Sequence, residues 1–298
     1  MAYKIEASET LAAGLERAAS EELQRAREAL VAESDPEAGV HEARKGLKKL
    51  RAILRLSRKP LGKRRFKVRN RYYRDLARRL AEQRAGVVRV ETLEMIAEGL
   101  DGDAPQRLLQ ASRRRLVPRR RRPGDAAIRA DVGAALTASR PAIEVRIARA
   151  GFDAVRPGLL RTYRKGRKGW REAADRPSAA AFHEWRKRVK DLWYLIRLFG
   201  PAYPALLEPL ADEIHRLSSA LGEGHDLDLL ESALEIEART DPLFDPTALL
   251  APIREAREAK RAAAIELGSR LYAEEPDAFV SRIESYWRAW RESEPAAG

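Results

Sequence analysis

The chain has 298 residues, with 58 Lys plus Arg against 45 Asp plus Glu, so its formal net charge is +13 and its pI is near 10.1. Hydrophobic residues make up 44% of the sequence, which is enough for packed cores and excludes a fully disordered chain. The lack of cysteine excludes disulfides and thiolate metal sites. Charged residues interrupt every apolar run, and the first ten residues lack the apolar stretch of a signal peptide, so we expect a cytoplasmic protein without a membrane span.

Good helix formers dominate the chain, and Gly and Pro punctuate them at intervals typical of helices, so the sequence predicts an all-α fold. Asp35 followed by Pro36 is typical of a helix start, and Phe199-Gly200-Pro201 is typical of a helix end. In chain order we predict helices near 8–32, 36–58, 63–84, 87–99, 104–117, 125–149, 152–173, 178–199, 203–222, 226–239, 247–273 and 276–291.

The helix predicted at 36–58 has a second copy later in the chain. Residues 41–56 align without gaps with residues 183–198, and eight of the sixteen positions are identical. The offset from His41 to His183 is 142 residues, close to half the chain, and the match includes two of only four histidines. We therefore predict an internal duplication that gives two pseudo-symmetric halves, each like a four-helix bundle, at 1–150 and 151–298.

Positive charge is concentrated near the first copy. Between Ala43 and Arg74 there are fifteen Arg or Lys and no Asp or Glu, whereas 226–241 is strongly acidic. Such segregation attracts polyanions.

Each copy of the repeated helix combines a cationic stripe with an apolar stripe on the opposite face, at about 100° per residue. The cationic stripes are His41, Arg44, Lys45, Lys48 and Arg55 in the first copy, and His183, Arg186, Lys187, Lys190, Tyr194 and Arg197 in the second. The apolar stripes, predicted to be buried, are Ala43, Leu47, Leu50 and Leu54, and Trp185, Val189, Leu192 and Ile196. Like charges three and four residues apart repel each other, and neither cationic face has acidic residues to relieve this. The pattern therefore indicates an external anion.

Phosphate suits such a face best, because Arg offers a planar fork of donors, Lys a mobile charge and neutral His one N–H. A third basic stripe precedes the second copy at helical spacing, and it consists of Arg161, Arg164, Lys165, Lys168 and Arg171. Helices joined by a short loop usually pack side by side, so we expect this stripe and that of the second copy to line a common groove.

The pattern that begins at His41 and at His183 resembles the CHAD domain family, whose members are histidine-containing α-helical domains. The run from Arg161 to Lys168 is similar to the family's basic run, and residues 222–228 resemble its Arg/His-Asp-x-Asp segment. The resemblance implies two four-helix bundles with approximate two-fold symmetry, a basic groove or pore that binds inorganic polyphosphate, and association with polyphosphate granules. It also implies a set of binding residues, namely His41, Arg44, Lys45, Lys48, Arg51, His183, Arg186, Lys187 and Lys190, joined by Arg161, Arg164, Lys165 and Lys168. Arg51 has Trp193 as its repeat equivalent, so its role is not duplicated.

Two alternatives to polyphosphate binding stay open. Nonspecific binding of RNA or DNA is the closer one, with Arg113 to Arg115 and Arg119 to Arg122 as contacts, although the sequence has no recognisable base-reading motif and few aromatic residues. A phosphoanhydride-processing enzyme is less favoured, because no complete catalytic constellation can be assembled.

We predict no catalytic residues, no metal and no cofactor. Glu42 and Glu184 are interpreted as partners of neighbouring Arg or Lys residues. His225, Asp226 and Asp228 are a weak metal signal, and Asp226 is instead expected to cap a helix that begins after Gly224, whose positive end Asp228 would favour.

Overall fold

The computed structural model describes residues 3–32, 35–81, 85–98, 103–116, 124–139 and 151–293. These ranges contain twelve α-helices and no strand, so the predicted all-α class is confirmed. The helices are α1 Leu11–Val31, α2 Pro36–Leu56, α3 Arg58–Leu61, α4 Lys63–Arg79, α5 Ala85–Ala97, α6 Asp103–Leu116, α7 Asp125–Thr137, α8 Arg156–Asp175, α9 Ala179–Phe199, α10 Pro204–Thr240, α11 Thr247–Leu271 and α12 Pro276–Ser293. Among them, none is long and apolar enough to span a membrane.

Local capping explains where the repeated helices begin and end. The Asp35 side chain accepts hydrogen bonds from the first backbone N–H groups of α2, and Ser178 accepts one from the first turn of α9. At the other end, α9 stops at Phe199 and passes into a 3-10 turn at Gly200–Ala202, as the sequence predicts. After the short helix α3, Gly62 adopts a φ of 77°, a conformation that glycine takes without strain, and the chain turns there into α4.

The helices predicted at 203–222 and 226–239 are one continuous helix, α10, so the predicted break between them is wrong. The prediction treated Gly222 and Gly224 as a stop, but both lie buried where α10 packs against its neighbours. Asp226 consequently lies inside a helix and caps nothing, and Asp228 is far from any helix start. In the first half, α7 ends at Thr137, and the predicted extension over 140–149 lies outside the described residues.

Two antiparallel helix pairs, α1 with α2 and α8 with α9, form the centre of the fold, and α2 also packs against α8 and α9. Contact between the pairs is close, because Gly158 at the start of α8 lies against the Leu56 carbonyl at the end of α2. The main buried cluster runs from Tyr3 to Trp287, and a second one joins α5 and α6 to α10 and α11. The duplication and the division at residue 150 stay predictions.

Candidate functional site

The repeated helices α2 and α9 bury the faces that the sequence predicts. Every residue of the two apolar stripes is at most 1% exposed. On the opposite faces the basic residues reach the surface to different extents. His41 and Lys187 are exposed, whereas Arg44, Lys45, Lys48, Arg51, Arg55, His183, Arg186, Lys190 and Arg197 are half-buried.

Tyr194 departs from this pattern, and its assignment to the cationic stripe is wrong. Its side chain is 1% exposed, and its ring packs against Tyr3, with 6.1 Å between the centroids, and against Trp193. Burial raises the pKa of the hydroxyl above its usual range. Helical angle placed Tyr194 among the polar residues, but the N-terminal segment covers that position.

A buried carboxylate joins the two repeated helices where the end of α2 meets the middle of α9. Arg55 Nη1 donates to Asp191 Oδ1 at 2.9 Å, and Arg188 Nη1 lies 3.5 Å from Asp191 Oδ2. Burial raises the pKa of Asp191, while the charges of Arg55 and Arg188 act in the opposite direction. The expectation that the cationic stripes have no acidic partner is therefore wrong for Arg55.

Cations from several helices surround this junction. We call this group the basic cluster, and it consists of Arg51 and Arg55 of α2, Arg58 of α3, Arg74 of α4, Arg161 and Lys165 of α8, and Arg188 of α9. These cations lie close enough to lower the pKa values of Arg51 and Lys165. Burial lowers the pKa of Arg51 to about 10, with further lowering by Arg55, Arg74 and Arg188. Burial and the charges of Arg188, Arg161, Arg58 and Arg55 lower the pKa of Lys165.

Carboxylates compensate only part of the charge in the basic cluster. Asp191 is shared by Arg55 and Arg188, Arg188 also lies 3.4 Å from Glu184, and Arg74 pairs with its neighbour Asp75 at 2.9 Å. Arg51 donates instead to the neutral Asn70 side chain at 3.2 Å. Among the described residues, Arg161 and Lys165 form no ion pair. The cluster therefore carries an excess of positive charge that a bound anion would neutralise.

Sequence reasoning missed three members of the basic cluster, namely Arg58, Arg74 and Arg188. Arg188 lies about 140° around α9 from His183, outside the cationic arc, and reaches the cluster through Asp191. Arg58 and Arg74 belong to the acid-free run that ends at Arg74. The distribution of charge along the sequence therefore pointed to them, whereas the helical angles of the repeated helices did not include them.

The basic stripe of α8 divides between two surfaces. Arg161 and Lys165 belong to the basic cluster, whereas Arg164 pairs with Asp277 of α12 at 2.6 Å. Lys168 lies 3.4 Å from Glu172 on its own helix. The expectation that the whole stripe lines one groove with the second copy is wrong for Arg164, because α12 supplies the acid that this side chain faces.

A second group of polar residues lies toward the N-terminus of α9. We call it the histidine cluster, and it consists of His183, Arg186, Lys187 and Lys190 of α9 with His225 of α10. The two imidazole centroids are 4.3 Å apart. Burial and the charges of Arg186 and Lys187 lower the pKa of His183. The same causes lower the pKa of His225 to about 4. Both imidazoles are therefore neutral near pH 7.

The same surroundings act on Lys190. Burial lowers its pKa to about 8, with contributions from Arg186 and Lys45, while Asp226 favours the charged form. Lys45 of α2 thus lies close enough to extend the histidine cluster across to the first repeat. Within the described residues, His183 Nδ1 and Arg186 Nε are buried without a hydrogen-bond partner.

The acidic residues near these helices have structural partners. Glu42 pairs with Lys45 at 3.2 Å and Glu184 with Lys187 at 2.5 Å, which confirms their interpretation as partners of neighbouring cations and shows that the stripes are not free of acids. Asp228 pairs with Arg261 at 2.9 Å. The part of the chain that the structure describes contains no group of three or more side chains suited to hold a metal ion.

The repeat equivalent of Arg51 lies in a different environment. Trp193 occupies this position. The Arg197 guanidinium carbon lies 5.2 Å from the centroid of the Trp193 ring, and the His215 ring centroid lies 4.6 Å from it. These residues line an open cavity of about 850 Å³ together with the carboxylates of Glu208 and Asp212. Arg197, the repeat equivalent of Arg55, supplies a cation here, but Trp193 replaces the cation that Arg51 supplies in the basic cluster.

The CHAD domain family model matches residues 15–235, about three quarters of the chain. The chain belongs to the CHAD domain family. The matched CHAD region contains both the basic cluster and the histidine cluster, and α11 and α12 lie beyond it. CHAD domains are associated with polyphosphate binding. A comparison with curated proteins found no match.

Of the arginines considered for nucleic-acid contacts, Arg113 lies 3.5 Å from Glu94 and Arg115 pairs with Asp241 at 2.5 Å. Arg119 to Arg122 lie outside the described residues.

Proposed function

We propose that this CHAD-domain protein binds inorganic polyphosphate in the basic cluster and performs no chemistry on it. The observation that carries the proposal is the excess positive charge of Arg51, Arg161 and Lys165, which lie beside the ion pairs that Asp191 forms with Arg55 and Arg188. Burial and mutual repulsion already disfavour the charged forms of Arg51 and Lys165, and the negative charge of a phosphate chain would offset both effects.

Capture is electrostatic. The net positive charge steers a polyanion toward the protein, and Arg and Lys replace the counterions that the polyanion carries. Within the cluster each Arg presents paired N–H donors to phosphate oxygens, and Lys165 supplies a mobile charge. Affinity should therefore fall steeply as the salt concentration rises.

The histidine cluster extends the proposed site along α9. Neutral His183 and His225 can each donate one N–H to a phosphate oxygen without adding to the repulsion around Arg186 and Lys190. On α2, the sequence-predicted residues His41, Arg44, Lys45 and Lys48 belong to the same proposed surface. In the cell this binding would place the protein on polyphosphate granules.

A competition titration at near-physiological salt tests the proposal. Labelled long-chain polyphosphate is displaced with unlabelled polyphosphate, single-stranded RNA or duplex DNA at equal phosphate concentration. We expect strong preference for polyphosphate, because a thin, flexible chain fits among cations from several helices better than a wide duplex does. Equal displacement by all three would indicate a generic basic surface and favour nucleic-acid binding instead.

A further inference from the structure

The cavity beside Trp193 has no part in the proposed polyphosphate site. It has a volume of about 850 Å³ and opens where the N-terminal segment and the end of α9 meet the start of α10 and the end of α12. Among its described lining residues, none belongs to the basic cluster or to the histidine cluster. Two of its walls, the N-terminal segment and α12, lie outside the residues that match the family model. We call it the Trp193 cavity.

Hydrogen bonds hold the N-terminal wall of the Trp193 cavity in place. The buried Ile5 donates its backbone N–H to the Leu198 carbonyl of α9 at 3.1 Å. The Arg291 guanidinium of α12 donates to the Ala7 carbonyl. The cavity is therefore preformed, and its volume lies within the range of about 300–1,000 Å³ that is usual for small-molecule sites.

The wall that α10 contributes to the Trp193 cavity corresponds in the repeat to α4. Residues 63–80 align with residues 204–221 when both helices are set to begin together. Under this alignment buried residues correspond in three pairs, namely Tyr73 with Ile214, Leu76 with Leu217 and Leu80 with Leu221. The cavity then has acidic or aromatic residues where the first half has cations, namely Trp193 for Arg51, Glu208 for Lys67, Asp212 for Arg71 and His215 for Arg74. This wall has therefore lost the cations that would hold a polyanion.

Two carboxylates on α10 face the Trp193 cavity. Glu208 and Asp212 lie one turn apart, both are exposed, and neither forms an ion pair with any residue that the structure describes. Like charges at this spacing repel each other. This side of the cavity therefore favours a bound cation.

Arg197 of α9 brings the opposite charge to the Trp193 cavity. It is half-buried against the Trp193 ring, and within the described ranges it has no ion pair either. Its repeat equivalent, Arg55, pairs with Asp191, but Lys49 takes the place of Asp191 in the other copy. Arg197 has therefore lost the acid that its counterpart binds, and this side of the cavity favours a bound anion.

A ligand with a single charge would be repelled by one of these two sides, whereas a zwitterion would satisfy both. The other charged residues of the lining, Lys4 and Glu6, have opposite signs and add no net charge. Because Arg197 pairs with neither Glu208 nor Asp212, the two charges of the ligand have to be separated by a carbon skeleton.

We propose that the Trp193 cavity binds a small zwitterion with an ammonium group and a carboxylate at opposite ends of an apolar skeleton, such as an ω-amino acid. The carboxylate lies against the planar fork of Arg197, and the ammonium group lies near Glu208 and Asp212. The skeleton packs on the rings of Trp193 and Trp290, which both line the cavity. This site is separate from the polyphosphate site, so the inference does not rest on the proposed function.

Calorimetric titration of the full chain at neutral pH with ε-aminocaproate tests the proposal. Hexylamine and caproate are the matched ligands, because they have the same number of carbon atoms and only one charge each. We expect ε-aminocaproate to bind at least about tenfold more tightly than either analogue, since one charge-assisted hydrogen bond is enough for a factor of this size.

Two double variants locate the bound zwitterion. E208Q/D212N removes the carboxylates of the cavity, and D175N/E255Q removes the same charge from exposed positions on α8 and α11. All four positions are exposed, so both variants should keep the wild-type unfolding temperature. We expect E208Q/D212N to bind ε-aminocaproate about tenfold more weakly and D175N/E255Q to bind it as the wild type does. Both variants should have the same affinity for long-chain polyphosphate.

Four results would overturn the inference. Absence of ε-aminocaproate binding would exclude the proposed ligand class, and equal binding of hexylamine would mean that Arg197 takes no part. Equal losses in the two double variants would place the bound zwitterion outside the cavity. Displacement of ε-aminocaproate by short-chain polyphosphate would assign Arg197 to the phosphate site instead.

Discussion

Single side chains in this protein take their roles from neighbours that are distant in the sequence. Asp191 illustrates this, because its repeat equivalent is Lys49, which is buried and pairs with Glu22 at 2.8 Å. The repeat therefore contains an acid bound by arginines in one half and a lysine bound by an acid in the other. Helical angle predicts which side of α2 or α9 a residue occupies, and it cannot predict these partners, since they come from other helices.

Asp191 limits the charge of the basic cluster, so its removal should affect stability and binding in opposite directions. In Asp191→Asn, the cations lose the buried charge that compensates them, and the free energy of unfolding should fall by about 1–3 kcal/mol. Polyphosphate should bind several-fold more tightly, because the cluster becomes more positive.

Chemical denaturation and equilibrium binding measure the two effects. Glu255→Gln is the matched control, since it changes the net charge equally at an exposed position on α11. Weaker polyphosphate binding by Asp191→Asn with the fold intact would show that Asp191 supports the bound state.

Lys190 should make polyphosphate binding dependent on pH. Its pKa is about 8 in the unbound protein, and a bound phosphate would raise it. Above pH 8 the complex then holds a proton that the free protein has lost, so affinity falls as pH rises, by at most tenfold per pH unit for this one group.

Titrations of long-chain polyphosphate between about pH 7 and 9 measure this dependence. Lys190→Arg should flatten it, because a guanidinium stays charged throughout, while the same change at exposed Lys168 should leave it as in the wild type. Identical pH profiles for the wild type and Lys190→Arg would place Lys190 outside the site.

At the scale of helices, most of the fold is predictable from the sequence. Capping at Asp35, the stop at Phe199 and the burial of both apolar stripes follow from local chemistry. The exception is α10, where Gly222 and Gly224 suggested a break. Glycine lowers helix propensity by only about 1 kcal/mol, and packing of α10 against α9 and α11 outweighs that cost.

The continuity of α10 predicts the effect of alanine at these glycines. A Cβ at Gly222 would lie 3.5 Å from Arg186, and one at Gly224 would lie 3.8 Å from Lys260, both ordinary contacts. Gly222→Ala and Gly224→Ala should therefore each stabilise the protein by about 0.5–1 kcal/mol.

Gly158→Ala on α8 is the opposite case, because its Cβ would lie 2.1 Å from the Leu56 carbonyl oxygen. It should destabilise the protein strongly. Thermal unfolding compares the three variants, and destabilisation by the α10 substitutions would contradict a continuous helix.

At the scale of the whole molecule, the candidate site is assembled from both halves of the chain. Its central ion pair joins Arg55 to Asp191 across 136 residues, and α3, α4 and α8 add cations around it. The sequence indicates a basic, phosphate-binding protein with two repeated helices, but it does not show that their stripes divide into a basic cluster and a histidine cluster. That division depends on how α2 crosses α9, which only tertiary packing determines.

The most direct test of the central claim removes the uncompensated cations of the basic cluster. The variant R51A/R161A/K165A is compared with R216A/R239A/R270A, which loses the same charge elsewhere, by equilibrium binding of polyphosphate at near-physiological salt. We predict that the cluster variant loses most of its affinity while its unfolding temperature stays level or rises, because mutual repulsion is relieved. Wild-type affinity in a folded cluster variant, or an equal loss in both variants, would contradict the account.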